Sequence, residues 1–225
     1  MTQQRAPIKV ILTGATGMVG EGVLHECLSH PMIREILIIN RKPAGITHLK
    51  LKEIIHPDFY NFSKIENQLQ GYDACFFCLG VSSVGMKEEK YQDLTYKLTM
   101  HVAQTLSRIN PGSTFCYISG AGTDSSEKGK TMWARVKGKT ENDLMKLPFG
   151  KVYNFRPGIL SPTKGLKNTL GFYKYLGWLI PAIKTFGPNF ISSLKDLGMA
   201  MIHVAVYGYN KPILEVKDIN SLAKQ

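Results

Sequence analysis

The 225-residue chain is 44% hydrophobic and 20% charged, proportions that fit one globular domain with a substantial core and exclude a disordered chain. Its net charge of +11 favours anionic partners, but the basic residues are scattered, with no Lys/Arg-only block and no aromatic-interleaved basic motif, so nucleic acid is not the expected ligand. No run reaches the roughly 18 apolar residues of a membrane helix, and "MTQQRAPIKVILTG" lacks the apolar core and cleavage signal of a secretory leader.

The elements read in chain order as alternating strands and helices. "IKVILTG" (8–14) is a buried strand, followed by a helix from Met18 to Ser29 that stops before Pro31. "REILIIN" (34–40) and "LKLKEII" (49–55) are the next strands, then "FSKIENQLQ" (62–70) is a short helix and "YDACFFCLG" (72–80) a fourth strand. A long helix from Glu88 to Arg108 ends before Pro111. "STFCYIS" (113–119) is a strand, "MWARVKGK" (132–139) lies on a helix, and "KVYNF" (151–155) is a strand. Strands alternating with helices imply parallel pairing through right-handed crossovers, hence a doubly wound α/β sheet of the Rossmann type. No linker, repeat or low-complexity tract divides the chain, so residues 1–225 form one domain.

Cys75 and Cys78 stand three apart on one strand and point to opposite faces, which argues against a redox pair. Cys27 and Cys116 fall in other apolar segments, where free cysteine packs as a small hydrophobe. This usage fits a reducing cytosol, and a cytoplasmic location is expected.

"TGATGMVG" places Gly14, Gly17 and Gly20 directly after a strand and at the opening of a helix. Glycines let such a turn close and let backbone N–H groups approach a pyrophosphate, which then sits on the positive helix end. The spacing differs from the G-x-G-x-x-G fingerprint, and a glycine-rich turn made for tight packing is the competing reading. At the end of the second strand, where an acid would hold the ribose 2′-hydroxyl of NAD, the chain has Asn40, Arg41 and Lys42. Two cations there suit the 2′-phosphate of NADP, unless they lie merely on a solvated turn.

"TGATGMVG", "NRK", "CLG" (78–80), "YISGAG" (117–122), the lysine of "WARVKGKTENDL" and "FRPG" (155–158) stand in the order found in atypical short-chain dehydrogenase/reductases. The chain resembles most the small NAD(P)-binding branch that holds Tat-interacting oxidoreductase-like proteins and epimerase-labelled bacterial relatives. The resemblance covers residues 8–160 and, more loosely, the C-terminal part. It implies that Gly14, Thr16, Gly17, Met18 and Val19 hold the pyrophosphate and Arg41 and Lys42 the adenosine phosphate. It also implies that Asp58 and Phe59 flank the adenine, unless they form an ordinary turn, that Cys78, Leu79 and Gly80 line the cofactor, and that Pro157 and Ile159 lie near the nicotinamide. Ser119 matches the catalytic serine, and Lys137 the lysine that holds the nicotinamide ribose.

In that family a tyrosine four residues before the lysine moves the proton as hydride is transferred. Here that position is Trp133. A phenol titrates near 10 and an adjacent ammonium favours its phenolate, whereas an indole N–H only donates and does not deprotonate in the useful range. Trp133 therefore cannot act as the acid or base. Tyr91, Tyr96, Tyr153 and His101 are candidates to supply the proton instead, with a packing or surface role as the competing reading of each.

The aromatic, lysine-interspersed stretch "LGFYKYLGWLIPAIKTFGPNFI" (170–191) falls in residues 160–210, which are expected to form the substrate side of the cleft, with an unknown small-molecule substrate; a membrane contact, a dimer face or a core helix compete with that reading. Pro181 argues against one straight helix. "SSLKDLGMAMIHVAVYG" (192–208) has the spacing of a packed helix and resembles a stretch of the family. Two functions fit: an NADP-dependent oxidoreductase-like or epimerase-like protein, or a non-catalytic NADP sensor or scaffold that contacts a protein partner.

Overall fold

In the computed structural model, which describes residues 5–163, 165–168 and 190–225, strand β1 (Ile8–Thr13) is central, flanked by β2 (Ile33–Asn40) and β4 (Ala74–Phe77). Beyond β2 lies β3 (Leu51–Ile55). Beyond β4 follow β5 (Thr114–Ile118), β6 (Lys151–Arg156) and the short edge strand β9 (Ile213–Glu215). The order is β3-β2-β1-β4-β5-β6-β9, and every pairing is parallel. The strand order reverses between β1 and β4, the point where open α/β sheets form a crevice at the carboxyl ends of their strands. A separate parallel pair joins β7 (Ile159–Ser161) to β8 (Ile191–Ser193).

Alternating side chains of the strands feed two cores, as parallel strands covered on both faces require. Val10, Leu12, Ile36 and Ile38 face one side, under helix α1 (Met18–Ser29) and helix α5 (Leu194–Tyr207). Ile11, Leu37, Ile39, Phe77 and Phe115 face the other, with Val102 and Leu106 of α3 (Leu98–Ile109) and Leu144 of α4 (Met132–Leu144). Each such side chain withdrawn from water contributes about 1.5–3 kcal/mol. Helices α1 and α5 approach closely because both carry glycine at the crossing. A Cβ on Gly22 would lie 2.8 Å from Leu194 Cβ, and one on Gly198 would lie 2.9 Å from Glu26 Cγ. Helix α5 starts on a capping box in which Ser193 and Asp196 satisfy each other's backbone N–H groups. A short helix α6 (Val216–Leu222) follows β9.

The structure corrects several sequence expectations. The helix expected over 62–70 is one 3₁₀ turn, Glu66–Leu69. The long helix from Glu88 is interrupted: α2 (Glu88–Gln92) passes into a π turn at Asp93–Lys97 before α3. The Asp93 carbonyl, which accepts Leu98 N across that turn, also receives the Tyr60 hydroxyl at 2.7 Å, a tertiary bond that helical periodicity does not announce. Strand β4 ends at Phe77, so Cys78, Leu79 and Gly80 lie in the loop beyond it. Strands β7, β8 and β9 are three residues each, too short to show a period. Cys75 and Cys78 enter different cores, and all four cysteines are free and buried. The aromatic stretch at 170–191 lies almost wholly outside the described residues, as does part of the expected substrate side at 160–210.

Candidate nucleotide site

The glycine loop occupies the carboxyl end of β1. Gly14 adopts φ +76°, and a Cβ there would stand 2.7 Å from the Cys78 carbonyl oxygen. A Cβ on Gly20 would lie 2.1 Å from the Gly14 carbonyl oxygen. These two glycines let α1 seat against its own entry loop and let that loop touch the end of β4. Gly17 N donates to the Gly14 carbonyl at 2.9 Å, and no side chain caps α1 at Gly17. The first N–H groups of α1, at Met18 and Val19, therefore open toward an anion, beside exposed Thr16 and Gly17. Directly before the loop, the buried Thr13 hydroxyl has no hydrogen-bond partner among the described residues.

At the end of β2 the Asn40 amide donates to Glu53 Oε1 at 2.9 Å, and its carbonyl accepts from His56 N at 2.8 Å. The same Glu53 oxygen receives Ala44 N at 2.8 Å. Sequence reading missed this carboxylate because it reaches the strand end from β3, not from β2. Arg41 and Lys42 are exposed on the turn that follows.

A cavity of about 210 Å³ brings together Arg41, Asp58, Phe59, Leu79 and Gly80, with Leu94 of the π turn and Leu98 at the start of α3 forming its apolar wall. Residues singled out from three separate loops thus meet at one place. A larger cavity of about 510 Å³ lies at the opposite ends of the strands, around Tyr72, Asp73 and Asn110, away from every motif.

The third cluster gathers at the ends of β5 and β6. Ser119 is buried, and its hydroxyl lies 2.8 Å from the Thr123 hydroxyl. Thr123 in turn donates to the Gly120 carbonyl at 2.8 Å. Each hydroxyl has one proton. With the Thr123 proton placed on a carbonyl, the Ser119 proton serves Thr123, and the free side of Ser119 Oγ is an acceptor. Lys137 Nζ donates to the carbonyls of Ser119 at 2.8 Å and Ile118 at 3.2 Å, and lies 5.6 Å from the centroid of the Tyr117 ring. Enclosure of its ammonium lowers the Lys137 pKa to about 8, against an opposing pull from Glu141. Gly138 admits this depth: a Cβ there would meet the Asp124 carbonyl oxygen at 1.8 Å. Trp133 is half-buried, its ring edge less than 4 Å from where Cβ atoms on Gly120 and Gly122 would stand. Pro157 is buried at the end of β6 and Ile159 is 44% exposed on β7.

Three of the alternative proton carriers, Tyr153, Tyr96 and His101, are placed elsewhere. The Tyr153 hydroxyl, in the first half of β6, donates to the Tyr209 carbonyl at 3.1 Å and accepts Tyr209 N at 2.7 Å. Tyr96 donates to Asp143 Oδ2 at 2.8 Å. The His101 ring lies 6.1 Å from that of Tyr60, by the 57–60 loop. Tyr91 is 2% exposed, and burial raises its pKa. Periodicity could not separate these roles, because hydroxyl partners 47 and 56 residues away are set by tertiary packing.

Comparison with known proteins places the chain. The profile of the NAD dependent epimerase/dehydratase family matches residues 10–131, more than half of it, and the chain belongs to that family. Protein FMP52, mitochondrial, of Candida albicans is 25% identical over 223 residues, 94% of this chain and 92% of the relative. Protein HTATIP2 of Rattus norvegicus is 24% identical over 154 residues, 67% of this chain and 62% of the relative. L-Sorbose reductase from Gluconobacter frateurii, solved with NADPH and L-sorbose, superposes with a TM-score of 0.65 at 12% identity, covering 96% of both chains. ADP-L-glycero-D-manno-heptose-6-epimerase of Helicobacter pylori gives 0.62 at 15% identity, over 100% of this chain and 84% of the epimerase. These structures share the fold. The protein is thus an atypical short-chain dehydrogenase/reductase-like NAD(P)-binding protein. The cytoplasmic location expected from cysteine usage is overturned: fungal relatives matching up to 95% of the chain are named mitochondrial. Reduced, buried thiols do not distinguish the two locations. No helix among the described residues is long and apolar enough to cross a membrane.

Proposed function

We propose that this family member binds NADP across the carboxyl ends of β1, β2, β4, β5 and β6, and that it is an oxidoreductase-like or epimerase-like protein working without the usual tyrosine. The observation that carries the reading is the convergence of the glycine loop, the cavity at Arg41 and Asp58, and Lys137 on one end of one sheet. The cradle suits a dinucleotide: Gly14 and Gly20 leave no room for a Cβ, α1 opens uncapped, and Thr13 keeps a buried hydroxyl without a partner.

Within this reading, Met18 and Val19 receive the pyrophosphate on their N–H groups, and Arg41 and Lys42 pair with the 2′-phosphate. Asp58, Phe59 and Leu79 enclose the adenine. Asn40 shapes the ribose end through Glu53, while Cys78 and Gly80 line the cofactor beside the Gly14 turn. Pro157 and Ile159 stand beside the nicotinamide, and Lys137 donates to its ribose. NADP when bound supplies the hydride chemistry. Ser119 presents a lone pair, which orients a substrate hydroxyl, while Trp133 closes the wall where a phenol would have moved the proton. Calorimetry with NADPH and NADH tests the reading: binding, tighter for NADPH, is expected, and absence of binding by both overturns it.

Trp133 also supports a second reading, a non-catalytic NADP sensor or scaffold whose occupancy changes contact with a protein partner or a second copy. Its Nε1–H makes no hydrogen bond among the described residues. Comparable carbonyl reduction by the wild type and by Trp133→Tyr removes the basis of this reading.

A further inference from the structure

Arg156, the arginine of "FRPG", ends β6 as a buried cation bound to three other parts of the chain. Its Nε donates to Glu141 Oε1 at 3.0 Å, and Nη2 donates to Glu141 Oε2 and to Ser125 Oγ. Its Nη1 reaches Glu215 Oε1 of β9 at 3.2 Å. Glu141 has no solvent exposure. Two charges removed from water are a poor way to stabilise a fold, since apolar replacements of such pairs are often neutral or better. The placement of the pair offers another reason for it. Glu141 follows Lys137 by one helical turn on the same face of α4, and Ser125 belongs to the loop that also carries Ser119 and Thr123.

We propose that Arg156 and Glu141 are a positioning pair for Lys137, setting how much negative charge its ammonium feels and hence the pH range over which it holds a cofactor. The cofactor clause rests on the function proposed above; the electrostatic clause does not.

Burial acts most strongly on Lys137, and among the charged groups around it Glu141 is the one that opposes burial. From β5 come Tyr117 and the neutral carbonyls of Ile118 and Ser119. Tyr91 of α2 lies close enough to Tyr117 to act on its phenol, and burial raises the pKa of both. Along α4, Glu141 is the anion whose field reaches the lysine. Arg156 counters that field from β6, and half-exposed Glu215 lies on its far side.

Lysine-resolved NMR of the full-length protein, with Lys137→Arg for assignment, tests the pair. In Glu141→Gln the Lys137 midpoint falls by about one pH unit, because Arg156 is left uncompensated. In Arg156→Gln it rises by about as much, because Glu141 is left unshielded. A purely structural role predicts no such opposition, and unmoved midpoints or shifts of the same sign overturn the proposal. Should either variant fail to fold, Glu215→Gln substitutes a half-exposed site: the midpoint falls by less than in Glu141→Gln, and an unmoved one overturns the proposal. NADPH titrations from about pH 6 to 10 should show affinity lost at the same shifted midpoints. A wild type without NADPH affinity defeats the proposed function, while the lysine titration still decides the pair.

Discussion

Lys137 donates from α4 to the carbonyl of Ser119 at the end of β5, 2.8 Å away and 18 residues earlier in the chain. This bond joins α4, the helix that carries Trp133, to the end of β5, where Ser119 is buried. It also sinks an ammonium between two carbonyls, and burial lowers the Lys137 pKa to about 8.

Stability should respond to that burial in one direction. The native lysine loses its proton near pH 8, below the value of about 10.4 in the unfolded chain. Between those values the unfolded state binds more protons, so the Lys137 contribution makes stability rise with pH across the window. Urea denaturation between about pH 7 and 10.5 should show this rise in the wild type and its loss in Lys137→Met.

Restoring the phenol tests the chemistry. Trp133→Tyr should raise NADPH-dependent carbonyl reduction by about 10²–10⁴-fold, the usual contribution of a positioned proton donor. Steady-state assays with a panel of aldehydes and ketones measure it. A wild type already as fast as the variant shows that another group moves the proton.

The cations after β2 should govern cofactor choice. Arg41→Ala with Lys42→Ala should weaken NADPH binding by about tenfold or more, equivalent to about 1.4 kcal/mol, and leave NADH nearly unchanged. Calorimetry on both cofactors reads the ratio, and equal losses for the two count against a 2′-phosphate contact.

The glycine cradle should not tolerate a methyl group. Gly20→Ala forces Cβ toward the Gly14 carbonyl oxygen, where the present separation would be 2.1 Å. A loss of about 1–3 kcal/mol is expected from overpacking, measured by denaturant unfolding, together with weaker nucleotide binding.

Glu21 should control the order of the 165–168 segment. Its buried carboxylate receives the backbone N–H groups of Lys167 at 2.8 Å and Asn168 at 2.7 Å. Glu21→Ala should speed hydrogen exchange at those two amides selectively, while the β1 and β2 amides keep their protection. Unchanged exchange at residues 167 and 168 refutes the anchoring role.

Local physics made much of the molecule legible in the amino-acid sequence. Runs such as "VILT" and "ILIIN" bury both faces and so declare parallel strands, and alternation with helices declares the doubly wound sheet. A glycine array between strand and helix marks the turn that only glycine can make, and the indole of Trp133 is by its own chemistry a donor that does not serve as an acid or base. Tertiary structure decided the rest, because it depends on groups far apart in the chain. The Asp93 carbonyl in the π turn receives Tyr60, Glu53 reaches Asn40 from the neighbouring strand, and Tyr153 is held by Tyr209 instead of facing the site. Thr123 orients the Ser119 proton, and Arg156 meets Glu141 beneath Lys137. Periodicity reports which face of an element is buried; it carries no information on which partner a buried polar group finds there.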